Sequence, residues 1–319
     1  MTIGLIGAGL TFILGFFIYP IFIDYLKRTT AQQKVSEYAL DEFKDKDSTV
    51  TFGGLIFVIL PIVVSLVVLN KHLNVQILLL MFMFFAYGLL GFIDDYKIIK
   101  EGKNDGVSAK TKLIVQFSLA AVFYFVYTKT GGSTELSIPF IKNPIDLKIL
   151  YLPFVAFMMT AFSNAVNLTD GMDGLATGTS IIAFIPLAYF AYQRVDLSLY
   201  VFLLSTIGAL FAFLVFNYSP AKIFMGDVGS LALGALFALA AIYLKIEVLS
   251  VLIGGVFVFE TLTVLIQQTY YRRTQKRIFK YTPIHYSFTL SGWKETRVVQ
   301  MFYIIGVVCA ALGLWIGTF

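Results

Sequence analysis

The stretch VQILLLMFMFFAYGLLGFI, residues 75–93, carries no charged side chain, and the residues that follow it at once are Asp94, Asp95, Tyr96 and Lys97. A helix needs about 20 predominantly apolar residues to cross the hydrocarbon core of a bilayer. This run supplies that length and then meets two adjacent carboxylates. The residues around it repeat the plan. Leu55 to Leu69 is also uncharged, and Thr51 to Gly54 lengthen it to a span.

Composition agrees. The 319 residues are 58% hydrophobic and 13% charged, against roughly 25% charged in a soluble domain. Hydropathy and length predict ten helices, near 2–23, 51–69, 75–93, 112–128, 150–166, 177–193, 197–216, 230–245, 248–270 and 298–318. The fold class is therefore all-α, a polytopic integral membrane protein of one membrane-embedded domain, residues 1–319. Met1 to Tyr19 lacks the basic start and small-residue cleavage site of a secretory signal and reads as a retained first helix. No internal repeat is visible, which argues against an inverted-repeat transporter plan. The loop 128–148, with Gly131, Gly132 and Pro139, predicts a short hairpin. Cys309 is the single cysteine, so no internal disulfide or cysteine metal site can form, and histidine chemistry is limited to His72 and His285.

The formal net charge of +5 could point to nucleic acid, but the distribution of the basic residues favours a membrane-topology signal and no nucleic-acid partner. Of the 24 Lys and Arg residues, 18 fall in the odd-numbered loops and six in the even-numbered ones. The positive-inside rule places the odd loops in the cytoplasm and both termini outside.

Four polar clusters lie at those odd loops. The first is Asp94-Asp95 at the end of helix three. Adjacent carboxylates at a membrane boundary repel each other and oppose the macrodipole of a helix C-terminus, so they point to an offsetting cation, proton or ligand; a solvated helix end is the plainer reading. The second is Asn167, Asp170, Gly171, Asp173 and Gly174. Three-residue spacing puts Asn167, Asp170 and Asp173 on one face if the stretch is helical. If it is a loop, the glycines bring backbone N–H groups toward a ligand. The third runs from Asn217 through Phe224 to Gly226-Asp227-Val228-Gly229-Ser230, immediately before helix eight. A glycine-rich turn there suits an anion, Asp227 suits Mg²⁺, and Asp227 as a simple N-cap is the plainer alternative. The fourth holds His285 in the most basic loop, as a phosphate-binding, acid–base or purely structural residue. Glu260 lies within helix nine, where a carboxylate is either functional or paired with a basic group on a neighbour. Together these residues read as Mg²⁺-dependent handling of a phosphate-bearing substrate at the cytoplasmic face.

The motifs GFIDDY (91–96), NAVNLTDGMDGLATG (164–178), PAKIFMGDVGSLALG (220–234), VFVFET (256–261), KRIFKYTPIHYSF (276–288) and SGWKE (291–295) resemble, in order and across essentially the whole chain, the polyprenyl-phosphate N-acetylhexosamine-1-phosphate transferase superfamily. Within it they resemble the MraY-type phospho-N-acetylmuramoyl-pentapeptide transferases. The resemblance implies attack of undecaprenyl phosphate on UDP-MurNAc-pentapeptide, giving lipid I and UMP, at a bacterial inner (plasma) membrane among membrane lipids. A homodimer would be compatible with it. It implies Asp227 as the Mg²⁺ ligand and Asp94 and Asp95 as the essential pair. Asn167, Asp170, Gly171 and Asp173 would lie around the nucleoside diphosphate, with Phe224 stacked on uracil. Asn217 and His285 would lie near the pyrophosphate, and Glu260 is the acidic residue of helix nine.

The chain departs from the pattern in three places. His285-Tyr286-Ser287 stands where the family usually has three histidines, and Val50-Thr51-Phe52-Gly53-Gly54 stands for Pro-Thr-Met-Gly-Gly. The first loop also lacks the usual histidine-containing stretch. Transfer of GlcNAc-1-phosphate is thus the alternative within enzymes, and a cation-coupled transporter the alternative outside them.

Overall fold

The computed structural model describes residues 2–29, 49–101 and 106–319. Lys34, Lys44, Lys46 and Lys103 of the charge count, and most of the first loop, lie outside the described residues. The chain is helical almost throughout: α1 Thr2–Arg28, α2 Gly54–Leu69, α3 Val75–Glu101, α4 Ala109–Lys129, α5 Tyr151–Thr169, α6 Leu175–Gln193, α7 Leu197–Asn217, α8 Gly226–Tyr243, α9 Glu247–Ile253, α10 Gly255–Thr274, α11 His285–Thr289 and α12 Glu295–Ile316. Among the described residues nine helices are long and apolar enough to cross a membrane, and the count is ten if the bent pair α9–α10 is one span. The expected hairpin is present: β1 Glu135–Leu136 pairs antiparallel with β2 Ile145–Asp146, Glu135 opposite Asp146.

The bundle is organised around α8, in which every residue from Val228 to Ile242 is buried. A helix apolar on all sides belongs in the middle. Its glycines and alanines let neighbouring backbones approach, the usual basis of helix contact where lipid supplies no hydrophobic drive. A Cβ at Gly234, for example, would run into the carbonyl of Phe162 on α5.

Three expectations change. Helix three does not end at Ile93 but continues to Glu101. Its 27 residues span about 40 Å at 1.5 Å per residue, more than the roughly 30 Å of hydrocarbon. Asp94 and Asp95 thus lie inside a helix, about two turns before its end, and the macrodipole argument does not apply to them. Helix eight starts at Gly226, so Asp227, Gly229 and Ser230 belong to its first turns and do not precede it. The ninth span is broken. Its halves meet at 83° around Gly254. Gly254 has φ −85°, ψ 23°, and side chains on Gly254 and Gly255 would press on Phe162, Phe237 and Cys309. Glycine pairs are a recognised cause of sharp kinks. The kink redirects α10, which carries Glu260.

Candidate active site

Two glycines bring the first carboxylates together. A Cβ on Gly91 of α3 would collide with the backbone carbonyl of Asp227, so α3 and the start of α8 touch there directly. Gly226 takes φ +72°, and a Cβ on it would meet Asp95 Oδ2. With nothing between the helices, Asp94, Asp95 and Asp227 each place a carboxylate oxygen within 4.8 Å of the others. Asp94 and Asp95 are buried, at 2% and 6% exposure, and Asp227 is half-buried.

Each carboxylate has a defined partner. Asp94 Oδ1 accepts from the Val107 N–H at 2.6 Å. Its Oδ2 lies 2.9 Å from Lys112 Nζ. The same ammonium lies 2.8 Å from Asp227 Oδ2. Asp227 Oδ1 accepts from Asn167 Nδ2 at 2.6 Å, and Asn167 Nδ2 also reaches Ser230 Oγ at 2.9 Å. Asp95 Oδ2 accepts from the Val228 N–H at 3.3 Å. Among the described residues three carboxylates and one ammonium share a small volume. Such an arrangement favours a divalent cation with a preference for oxygen.

The second group of expected residues sits on the turn between α5 and α6 and on what packs against it. Asn167 is on the last turn of α5, Asp170 caps that helix, and Asp173 lies beyond it, so the three do not share a helix face. Gly174 takes φ +79° and starts α6 without a side-chain cap. The Asp170 carboxyl is pushed up to about 7, first by burial and then by the negative charges of Asp227 and Asp173. It therefore stands in the field of the first group. Asp173 Oδ2 accepts from the Ala221 N–H at 3.0 Å, which ties the turn to the 218–225 loop.

That loop is held at its other side by residues 50–54. Val50 bridges Ile223 in parallel register, the Phe224 N–H donates to the Val50 carbonyl at 2.8 Å, and the Gly53 N–H donates to the Phe224 carbonyl at 2.9 Å. Phe224 is half-buried. Asn217 is 3% exposed. Its Oδ1 accepts from Thr177 Oγ1 at 2.6 Å, and its Nδ2 donates to the Ile223 carbonyl at 3.0 Å. Its amide is spent on shaping the loop.

Glu260 and His285 meet in full burial, each at 0% exposure. His285 Nδ1 is 3.2 Å from Glu260 Oε1, an approach whose angle falls short of a hydrogen bond. Glu260 Oε2 accepts from the Ile284 N–H at 2.9 Å. The intramembrane acid is thus paired with a potential base, the second of the two readings of its sequence. His285 Nε2 lies against Gly171, where a Cβ would collide with it. Of the positions that replace histidines, Tyr286 packs against His285 with ring centroids 4.2 Å apart and the rings tilted by 54°. Ser287 Oγ donates to the Tyr281 carbonyl.

Sequence reasoning missed Lys112, which it counted as a topology charge at the start of a span. The one hint was Gln116, a second polar residue four positions on and on the same face of α4.

Comparison with known proteins adds to this geometry. The family model described as glycosyl transferase family 4 matches residues 77–245. The chain is 44% identical over 314 residues to the phospho-N-acetylmuramoyl-pentapeptide-transferase of Staphylococcus saprophyticus, covering 97% of this chain and 98% of that one. It is 43% identical over 316 residues to the enzyme of the same name from Oceanobacillus iheyensis, covering 98% and 97%. It is 40% identical over 315 residues to that of Bacillus anthracis, again covering 98% and 97%.

Proposed function

The chain belongs to glycosyl transferase family 4 and, within it, to the phospho-N-acetylmuramoyl-pentapeptide transferases. On that premise we propose that it transfers phospho-MurNAc-pentapeptide from UDP-MurNAc-pentapeptide to undecaprenyl phosphate, giving lipid I and UMP. The observation that carries the reading is the meeting of Asp94, Asp95 and Asp227 around Lys112, one side chain away from the Asn167–Asp173 segment. An oxygen of the lipid phosphate attacks the sugar-proximal phosphorus, and the bond from that phosphorus to UMP breaks.

Phosphoryl transfer depends mainly on positioning and on offsetting charge at the phosphate oxygens. Lys112 offsets part of the charge of Asp94 and Asp227, and keeps those carboxylates close to where the diphosphate must lie. Lys112 engages Asp94 and Asp227, and one of the pair Asp94 and Asp95 orients the lipid phosphate or holds its proton. The donor set fits Mg²⁺: Asp227, with Asp94 and Asp95, would hold the ion, which supplies charge neutralisation at the diphosphate oxygens when bound. His285, backed by Glu260 and aimed at Gly171, supplies a polar group to the pyrophosphate. The half-buried ring of Phe224 is available for the uracil face, a contact worth about 1–3 kcal/mol. Asn217 acts by holding the loop that presents that ring.

The helices supply the apolar surface along which a polyprenyl chain can lie. The surplus of Lys and Arg in the odd loops supports reading this face as the cytoplasmic side of a bacterial plasma membrane. The test is UMP release by purified protein given undecaprenyl phosphate and, separately, UDP-MurNAc-pentapeptide or UDP-GlcNAc, with and without Mg²⁺. Release with the first donor alone, dependent on Mg²⁺, is expected. Release with UDP-GlcNAc alone would move the assignment to the GlcNAc-1-phosphate branch.

A further inference from the structure

The turn between α5 and α6 is gripped from outside by the C-terminal part of the chain. Tyr286 Oη, from α11, donates to the Gly171 carbonyl at 3.0 Å. Glu295 Oε1, from the first residue of α12, accepts from the Asp173 N–H at 2.8 Å. Tyr303 Oη, two turns further along α12, donates to the Gly174 carbonyl at 2.7 Å. All three reach backbone atoms of the turn, and so they fix its path.

The same segments share a small core of their own. Met172 and Leu175 pack with Ile284, Val298, Val299 and Phe302 in a cluster separate from the main core of the bundle. The line of contact continues past the turn, because Asp173 Oδ2 accepts from the Ala221 N–H in the loop that carries Phe224. Within the turn the ties are backbone bonds, such as Gly171 N–H to the Thr169 carbonyl at 2.9 Å and Leu175 N–H to the Met172 carbonyl at 3.0 Å, and α6 starts without a side-chain cap. The side chains of the distant C-terminal residues add to those ties.

We infer that Tyr286, Glu295 and Tyr303 are positioning residues, a backbone clamp that preorganises the 170–174 turn, and through Asp173 the Phe224 loop, for the nucleoside diphosphate donor. The inference rests on the proposed function in one respect, that the turn faces the donor. Preorganisation lowers the cost of binding by ordering the site beforehand. The clamp therefore acts on the donor and leaves the lipid acceptor unaffected.

The experiment compares Tyr286→Phe, Tyr303→Phe, the two combined, Glu295→Ala and Glu295→Gln, in detergent, for KM toward each substrate and for amide hydrogen exchange at residues 171–175. One hydrogen bond is typically worth a threefold to tenfold effect, about 1 kcal/mol. The single Phe variants and Glu295→Ala are expected to raise KM for UDP-MurNAc-pentapeptide by about that factor. KM for undecaprenyl phosphate should stay unchanged, and exchange in 171–175 should accelerate. The double variant should approach the product of the singles, and Glu295→Gln, which keeps an acceptor oxygen, should recover most of the affinity. Unchanged exchange in the double variant overturns the clamp whatever the activity. So does a parallel rise in both KM values with a lowered melting temperature, which would mark a general loss of structure. If the wild type releases no UMP from either donor, the functional reading falls, and the exchange data still decide the clamp.

Discussion

The Lys112 ammonium lies 2.8 Å from the Asp227 carboxylate and 2.9 Å from that of Asp94, and so joins α3, α4 and α8 at one point. Lys112→Gln removes the ammonium that Asp94 and Asp227 share and is expected to lower kcat for UMP release by about 10²-fold, the scale for losing one group that stabilises developing charge. The apparent affinity for Mg²⁺ should move the opposite way, because the carboxylates lose the cation that partly satisfies them. A Mg²⁺ titration of initial rates reads both effects. An unchanged kcat would reduce Lys112 to a structural tie.

Asp227→Asn keeps the shape of the side chain and an oxygen for the Asn167 amide, and removes the charge. UMP release should fall by at least about 10²-fold with little change in melting temperature. Near wild-type activity in this variant would remove Asp227 from any metal or diphosphate role. A fall in activity matched by loss of folded protein would assign it to structure.

The helices were legible in the sequence because lipid demands long uncharged runs, and the hairpin because the Glu135-Leu-Ser-Ile-Pro-Phe segment alternates and Pro139 falls within it. The break at Gly254 was not legible. Ile253-Gly254-Gly255-Val256 reads as uninterrupted apolar sequence, and the kink depends on how closely Phe162, Phe237 and Cys309 press against it. The acids themselves could be picked out by residue type, but their partners could not. Lys112 and Asp227 are 115 positions apart and Asn217 and Thr177 are 40 apart. A lysine beside an apolar run is indistinguishable from a topology charge until the helices are packed. Asn217, which the resemblance sets near the pyrophosphate, also holds the Ile223 carbonyl with its amide, and local sequence holds no trace of that contact.

Burial, and then the negative charges of Asp227 and Asp173, push the Asp170 carboxyl from the ordinary carboxylate range up to about 7. A carboxyl whose folded pKa is raised contributes stability that is fully present below the unfolded pKa and is lost as pH rises through the folded one. The wild-type melting temperature should therefore carry a component that falls from about pH 4 to about pH 7 and is flat above. Asp170→Asn should lack that component, so its advantage over wild type widens across the same window. Melting curves of the two proteins from pH 5 to pH 8.5 check this. A constant difference between them would mean that Asp170 keeps an ordinary carboxyl pKa.

Glu260→Ala leaves the Ile284 N–H and the His285 ring buried without the acid that faces them. Leaving a buried polar group unsatisfied costs about 1–3 kcal/mol, so the variant should melt measurably lower, and Glu260→Gln should recover part of the loss through its remaining acceptor oxygen. His285→Ala separates the two roles of the pair. A strong fall in turnover with a smaller effect on melting is expected if His285 serves the diphosphate, whereas an unaffected rate would leave it as the structural partner of Glu260.

Gly226→Ala tests the approach of α3 to α8 itself. Gly226 has φ +72°, and a methyl group there would meet Asp95 Oδ2. The left-handed conformation costs a residue with a Cβ about 1–2 kcal/mol, and the contact forces Asp95 away from the Val228 N–H that it accepts at 3.3 Å. The variant should fold with a modestly lower melting temperature and lose far more activity than its stability loss explains, because the acids are moved apart while each is still present. Gly91→Ala approaches the same junction from the α3 side, where a Cβ would meet the Asp227 carbonyl. Since both changes disturb one contact, their combined effect on kcat should be smaller than the product of the single effects. A fully multiplicative result would mean that Gly226 and Gly91 act through different parts of the protein, and that the meeting of α3 with α8 does not set the geometry of the acids.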